Sequence, residues 1–141
     1  MRYEVWERMV PAEIRGDPLW TLRIYRMALY AGDVGRRDAA WLSSRSGCAE
    51  LASQLARATE SISANIAEGY SRLSRKERGR FFEYALGSAR ESRDWYYKAR
   101  SILGDQATSA RLSLMTTIIK VLIVFISRTR AASSPKAGKE A

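Results

Sequence analysis

Leu51-Ala-Ser-Gln-Leu-Ala-Arg-Ala-Thr-Glu-Ser-Ile-Ser-Ala-Asn-Ile-Ala-Glu-Gly69 decides the fold of this chain. Leu51, Leu55, Ala58, Ile62, Ile66 and Gly69 recur at steps of three or four, the period of one face of an α-helix. Alanine and glycine interleave with leucine and isoleucine on that face, so a neighbouring helix can approach closely. Asn65 falls at its edge, where a half-buried amide calls for a hydrogen-bond partner across the helix interface. Glu50, Gln54, Arg57, Ser61 and Glu68 form a polar stripe down the flank at the same spacing.

Working toward the N-terminus, Ser44-Arg-Ser-Gly47 is a turn, and before it Leu22, Tyr25, Leu29, Gly32, Arg36, Ala39 and Leu42 repeat with helical period. Ala40 serves the series as well as Ala39 does. Asp17-Pro18 supplies an N-cap followed by proline at the first helical position, which predicts one long helix to about Ser43. Gly32 and Gly35 weaken its middle by about 1 kcal/mol each relative to alanine. Residues 1–16, with Tyr3, Val5, Trp6, Met9 and Ile14 and a helix-breaking Pro11, read as an N-terminal arm that docks on the rest.

Working toward the C-terminus, Ser74-Arg-Lys-Glu77 is a capping box. It opens a helix carrying Phe81, Phe82, Ala85, Leu86, Ala89, Ser92, Trp95, Tyr96, Ala99, Ile102 and Leu103. Gly104-Asp105 closes this helix and caps the next, which carries Leu112, Met115, Ile118, Ile119, Leu122, Phe125 and Ile126. The apolar run 112–126 is too short to span a bilayer and is interrupted by Lys120, so it reads as a core helix. Residues 131–141 shift to Ala, Ser, Pro, Gly and Lys, the composition of a disordered basic tail. Four amphipathic helices without a strand candidate predict an all-α fold: an antiparallel up-down four-helix bundle over residues 17–130.

With 141 residues the chain is sized for one domain. Lys+Arg number 24 against 15 Asp+Glu, a net charge of +9. Arg128, Arg130, Lys136 and Lys139 against Glu140 contribute +3 of this, leaving +6 for residues 1–127. A basic body of this kind suits a polyanion, nucleic acid before membrane. A single cysteine, Cys48, excludes an internal disulfide and suits a reducing cytoplasm. The start of the chain lacks the apolar segment of a signal peptide.

The residue inventory excludes most chemistry. There is no histidine, so the commonest general base and metal ligand are missing. One cysteine cannot build a zinc site, and a helical di-iron site needs Glu-x-x-His. No catalytic, metal or cofactor site is expected. The positive lead is the helix junction, where Arg72, Arg75, Lys76, Arg78 and Arg80 surround the single anion Glu77. A phosphate there meets both cations and the outward first-turn amides of the following helix. Arg93 and Arg100 lie on the margin of an apolar face, where arginines pair with carboxylates of a neighbouring helix or subunit; Glu60 and Glu68 are the candidates. Trp95, Tyr96 and Tyr97 read as core and interface. Arg57 and Glu68 are expected to set helix and subunit contacts, and Asn65 to fix register.

Three stretches together, Leu51 to Ala58, Ser61-Ile-Ser-Ala-Asn-Ile-Ala-Glu-Gly69-Tyr-Ser-Arg72 and Phe81-Phe-Glu-Tyr-Ala-Leu-Gly-Ser-Ala-Arg-Glu91, resemble the 23S rRNA-intervening-sequence protein family. The resemblance runs over roughly residues 18 to 128, with Ser63 standing where the family usually has proline. It implies a small bacterial four-helix bundle that assembles as a homopentamer with a basic surface and has no catalytic residues. It also implies kinship with the accessory variability proteins of diversity-generating retroelements, which bind nucleic acid and a reverse transcriptase. The resulting expectation is a non-enzymatic homo-oligomer that contacts nucleic acid, RNA foremost, through backbone phosphates. The alternative is a scaffold serving a reverse transcriptase.

Overall fold

The computed structural model describes residues 1–133, and every regular element among them is helical. In chain order these are α1 (Tyr3–Met9), α2 (Ala12–Arg15), a 3-10 turn (Pro18–Thr21), α3 (Arg23–Ser43), α4 (Ala49–Tyr70), α5 (Arg75–Lys98), α6 (Arg100–Leu103) and α7 (Asp105–Ser133). The four long helices enclose one core, with α3 packed on α4, α4 on α5, α5 on α7, and α7 returning to α3.

Each long helix contributes a stripe at alternating steps of three and four. Ile24, Ala28, Ala31, Gly35 and Leu42 line α3, and Leu55, Ile62, Ile66 and Gly69 line α4. Phe82, Ala85, Ala89, Ser92 and Tyr96 line α5, and Met115, Ile118, Leu122 and Ile126 line α7. Burying one of the larger of these side chains stabilises the fold by about 1.5–3 kcal/mol. The stripe read in the sequence on α3 overlaps the buried one only in part: Gly32, Ala39 and Leu42 are buried, and Leu22 and Tyr25 pack partly buried against the core. Arg36 lies outside the buried face and pairs in solvent with Glu60 of α4 at 2.5 Å, while Ile24, Ala28 and Ala31, outside the series read in the sequence, are buried. The two glycines of α3 do not break it. They sit where α4 comes closest, and a Cβ built on Gly35 would stand 2.1 Å from the Thr59 Oγ1.

The start of α3 also differs from expectation. Asp17 does cap, accepting from the Leu19 amide at 2.8 Å, and Thr21 Oγ1 donates to the Pro18 carbonyl. That closes a 3-10 turn, Leu22 is extended at φ −78 and ψ 112, and α3 begins only at Arg23. The third long helix likewise ends earlier than read. α5 stops at Lys98, and Ala99 separates it from the single turn of α6. Gly104, at φ 87, then turns the chain in a conformation that glycine adopts without a side-chain penalty. Asp105 is the first residue of α7, and the Gly104 carbonyl accepts from Thr108 to close its first turn.

α7 runs on through Ser133, so residues 131–133 are helical and the expected disorder of the tail falls on residues outside the described ones. By length and composition alone, Asp105–Ala131 is long and apolar enough to cross a membrane, which the 15-residue run in the sequence was not. Its stripe is nonetheless committed to the shared core, with Met115, Ile118 and Leu122 fully buried.

The N-terminal arm docks on α3. Trp6 is buried among Tyr3, Trp20 and Tyr30, and its indole N–H donates to Asp33 at 2.7 Å. Tyr30 donates to the Met1 carbonyl, tying down the beginning of the chain.

Candidate nucleic-acid interface

The α4–α5 junction is built by two caps. Ser71 ends α4, its amide bonding to the Ala67 carbonyl, and the Ser74 hydroxyl accepts from the Glu77 amide at 3.4 Å to open α5. Between them Arg72, Leu73 and Ser74 form a short connection whose Leu73 is 97% exposed. Gly69 lets this corner close: a Cβ there would meet the Phe82 ring at 2.7 Å.

The five cations expected at this junction all lie on it, in different states. Arg75 and Lys76 occupy the exposed first turn of α5. Arg72 approaches Glu68 at 3.3 Å and stacks over Phe81 at 4.8 Å, with its side chain still 47% exposed. Arg80 donates to the Tyr84 hydroxyl at 2.7 Å and lies 3.8 Å from Glu77. The Tyr84 hydrogen bond, followed by the charges of Tyr84 and Glu77, raises its already high pKa, so it stays a cation at any working pH. Arg78 differs. Half-buried, it turns back to donate to the Arg72 carbonyl at 2.5 Å and holds the connection in place. The junction therefore presents Arg72, Arg75, Lys76 and Arg80 outward beside a helix N-terminus, with Arg78 as their brace.

The residues read as structural are distributed otherwise than expected. Asn65 is half-buried but donates to Ser61 of its own helix at 2.9 Å rather than across the interface, because a carbonyl one turn back is already within reach. Arg57 is exposed on α4, and Glu68 serves Arg72. The carboxylate partners expected for Arg93 and Arg100 are engaged elsewhere, since Glu60 faces α3 and Glu68 faces its own helix end. Arg93 donates instead to the Thr116 hydroxyl of α7 at 3.3 Å. Arg100 donates to the Tyr97 carbonyl at 2.9 Å and lies over the Tyr97 ring at 3.9 Å. Trp95 is half-buried against the core and Tyr97 is 52% exposed.

Tyr96 is the anchor of a network that sequence reading missed. Its hydroxyl donates to Asp38 Oδ2 at 2.7 Å, and Arg111 donates to the same carboxylate at 2.7 and 3.3 Å. The network joins α3, α5 and α7 inside the bundle, with the Asp38 and Arg111 side chains 14% and 26% exposed. Burial, then the neighbouring carboxylate, drives the Tyr96 pKa well above the usual tyrosine range. The signal was available: Asp38 continues the series 24, 28, 31, 35, 42, and Arg111 the series 115, 118, 122. A charge on a core stripe demands a partner on another one.

Residues 44–123, more than half of the chain, match the 23S rRNA-intervening sequence protein family. The chain belongs to that family. The matched span takes in the α4–α5 junction and most of α7, and leaves α1, α2 and α3 outside it. The resemblance read in the sequence to the 23S rRNA-intervening-sequence protein family thus holds, over a narrower span. A crystal structure at 1.70 Å of a protein of unknown function from the S23 ribosomal protein family of Bacteroides thetaiotaomicron is similar in fold. Its TM-score is 0.69 at 23% identity, with 73% of this chain and 97% of that chain covered. No curated protein matches.

Proposed function

We propose that this member of the 23S rRNA-intervening sequence protein family is a non-enzymatic homo-oligomer that binds structured RNA through backbone phosphates. In this reading its four long helices run antiparallel, up and down, as one bundle. The observation that carries the reading is the junction itself, where Arg72, Arg75, Lys76 and Arg80 stand exposed beside the first turn of α5. Cations and the positive end of a helix together suit a phosphate, and neither distinguishes one base from another. The net charge of +9 supplies the long-range attraction.

Assembly is supported by apolar surface left outside the core. Ile123 and Val124 of α7 are about half exposed, and Leu22, Val121, Val124 and Phe125 line an open groove of about 480 Å³. Light scattering is expected to give several protomers per particle; a 15.9 kDa monomer at micromolar concentration overturns that part. Arg75→Ala with Lys76→Ala, both exposed, should leave the fold intact and weaken RNA of every sequence alike. The log–log salt slope should fall by about 1.4 per binding subunit on single-stranded RNA. An unchanged slope places the contact elsewhere.

A further inference from the structure

α5 has a second basic region beyond the junction. Arg90 and Arg93 on α5 and Arg100 on α6 border the seam with α7, where two adjoining hollows of about 520 and 440 Å³ share Leu112 and Thr116. Among the described residues none of these three arginines has a carboxylate within ion-pair distance. Asp94, on the same wall, is taken by Lys98 at 2.7 Å, which leaves Asp105 as the remaining acid of the groove. The opposite wall is hydroxyl-rich. Arg93 already donates to Thr116, Ser113 is exposed beside it, and Thr108 lines the groove with its buried Oγ1 lacking any hydrogen-bond partner among the described residues.

We infer that this α5–α7 groove is a second phosphodiester-binding surface, in which Arg90, Arg93 and Arg100 hold successive phosphates of one nucleic-acid strand and the α7 hydroxyls supply neutral hydrogen bonds. It rests on the nucleic-acid reading above and adds residues to it. Guanidinium groups are the natural occupants of such a site, because their planar forks match phosphate oxygens and their weak hydration lowers the cost of contact. Arg100 is already flattened on Tyr97, and Arg93 is held by a neutral hydroxyl, so neither must first break an ion pair to engage a phosphate. The buried Thr108 hydroxyl, lacking a hydrogen-bond partner among the described residues, is the one group of the groove that carries a desolvation cost until something completes it.

The test uses the full chain and a fluorescein-labelled 20-nucleotide RNA of mixed sequence, with anisotropy read from low to moderate KCl. The double variant Arg90→Gln with Arg100→Gln changes two exposed side chains. Two lost contacts should reduce the salt slope by about 1.4 and weaken binding on the order of 25-fold at 0.1 M salt. Thermal melts of both proteins should coincide. If the double variant melts early, the single Arg90→Gln carries the test, with an expected slope change of about 0.7. A variant that keeps the wild-type affinity and slope, while Arg75→Ala with Lys76→Ala loses both, overturns the groove and leaves the junction standing. No binding by the wild-type protein at low salt overturns the nucleic-acid reading, and the groove with it.

Discussion

Replacing Asp38 by alanine removes the one acceptor that serves both Arg111 and Tyr96. The Tyr96 side chain is fully buried, so its hydroxyl would be left without a partner, at a cost of about 1–3 kcal/mol. An unpaired charge in a fully buried site costs about 3–5 kcal/mol, but Arg111 is a quarter exposed and recovers part of that from water. The two contributions together give roughly 3–4 kcal/mol, and a fall in Tm on the order of 10 °C for a chain of this size. Urea titration at fixed protomer concentration is the assay, because oligomerisation links stability to concentration. The midpoint should fall with the m-value unchanged. The triple variant Asp38→Leu, Arg111→Met, Tyr96→Phe should return to within about 1 kcal/mol of wild type, since it removes every stranded group at once. A loss below about 0.5 kcal/mol for Asp38→Ala, which is the range of an ordinary surface change, refutes the reasoning.

Glycine substitutions should split by position. Gly35→Ala and Gly69→Ala force a Cβ to within 2.1 Å of Thr59 and 2.7 Å of Phe82, and both should destabilise by about 1–3 kcal/mol in urea melts. Gly87→Ala, whose Cβ would meet nothing within 4 Å, should stabilise by about 0.5–1 kcal/mol. Alkaline pH should unfold the protein: the Tyr96 pKa is raised by burial, so the stability it contributes is complete below about pH 10 and declines above it. The loss is up to about 1.4 kcal/mol per pH unit, and Tyr96→Phe should show a shallower decline between pH 10 and 11. Asn65→Leu breaks only a hydrogen bond within its own helix and should change stability by less than about 0.5 kcal/mol, read by chemical denaturation.

The four long helices and most of their ends were legible because periodicity and caps are local properties, whereas the short helices of the arm and the single turn after Ala99 were not. The Leu55, Ile62, Ile66, Gly69 stripe survives intact, as does Ser74 as the cap of α5. What failed was the setting of one helix against another. Of the face read on α3, Gly32, Ala39 and Leu42 are buried, but Leu29 is half-buried and Arg36 exposed, and the reading left out Ala28, Ala31 and Gly35, because alanines and glycines carry the closest contact and hydropathy gives them little weight. The same error hid Asp38. Within the chain, the partners of Arg93 and Arg100 were not legible for a related reason: α4 gives its Glu60 to α3 and its Glu68 to Arg72, which leaves a hydroxyl and a backbone carbonyl to the two arginines. The basic junction was legible as composition, yet only coordinates separate Arg78, a brace, from its outward neighbours.

Charge placement links the fold to the proposed activity. With 24 cations and 15 anions, at least nine positive charges stay unneutralised wherever the pairs form. Acids are placed against particular cations: Asp38 against Arg111 inside the bundle, Glu60 against Arg36, Asp94 against Lys98, Glu83 against Arg130. The outward cations of the junction and the arginines of the groove lie toward opposite ends of α5, and even the nearest two along it, Arg80 and Arg90, are separated by roughly 15 Å of helix. At that distance the two sets do not share side-chain partners, and variants in each should lower the salt slope additively. A strand gripped at both ends would lose far more affinity than slope when one end is removed, because the second contact is made at high effective concentration. Strands too short to reach both ends lack that second contact, so their affinity should fall only as their slope does.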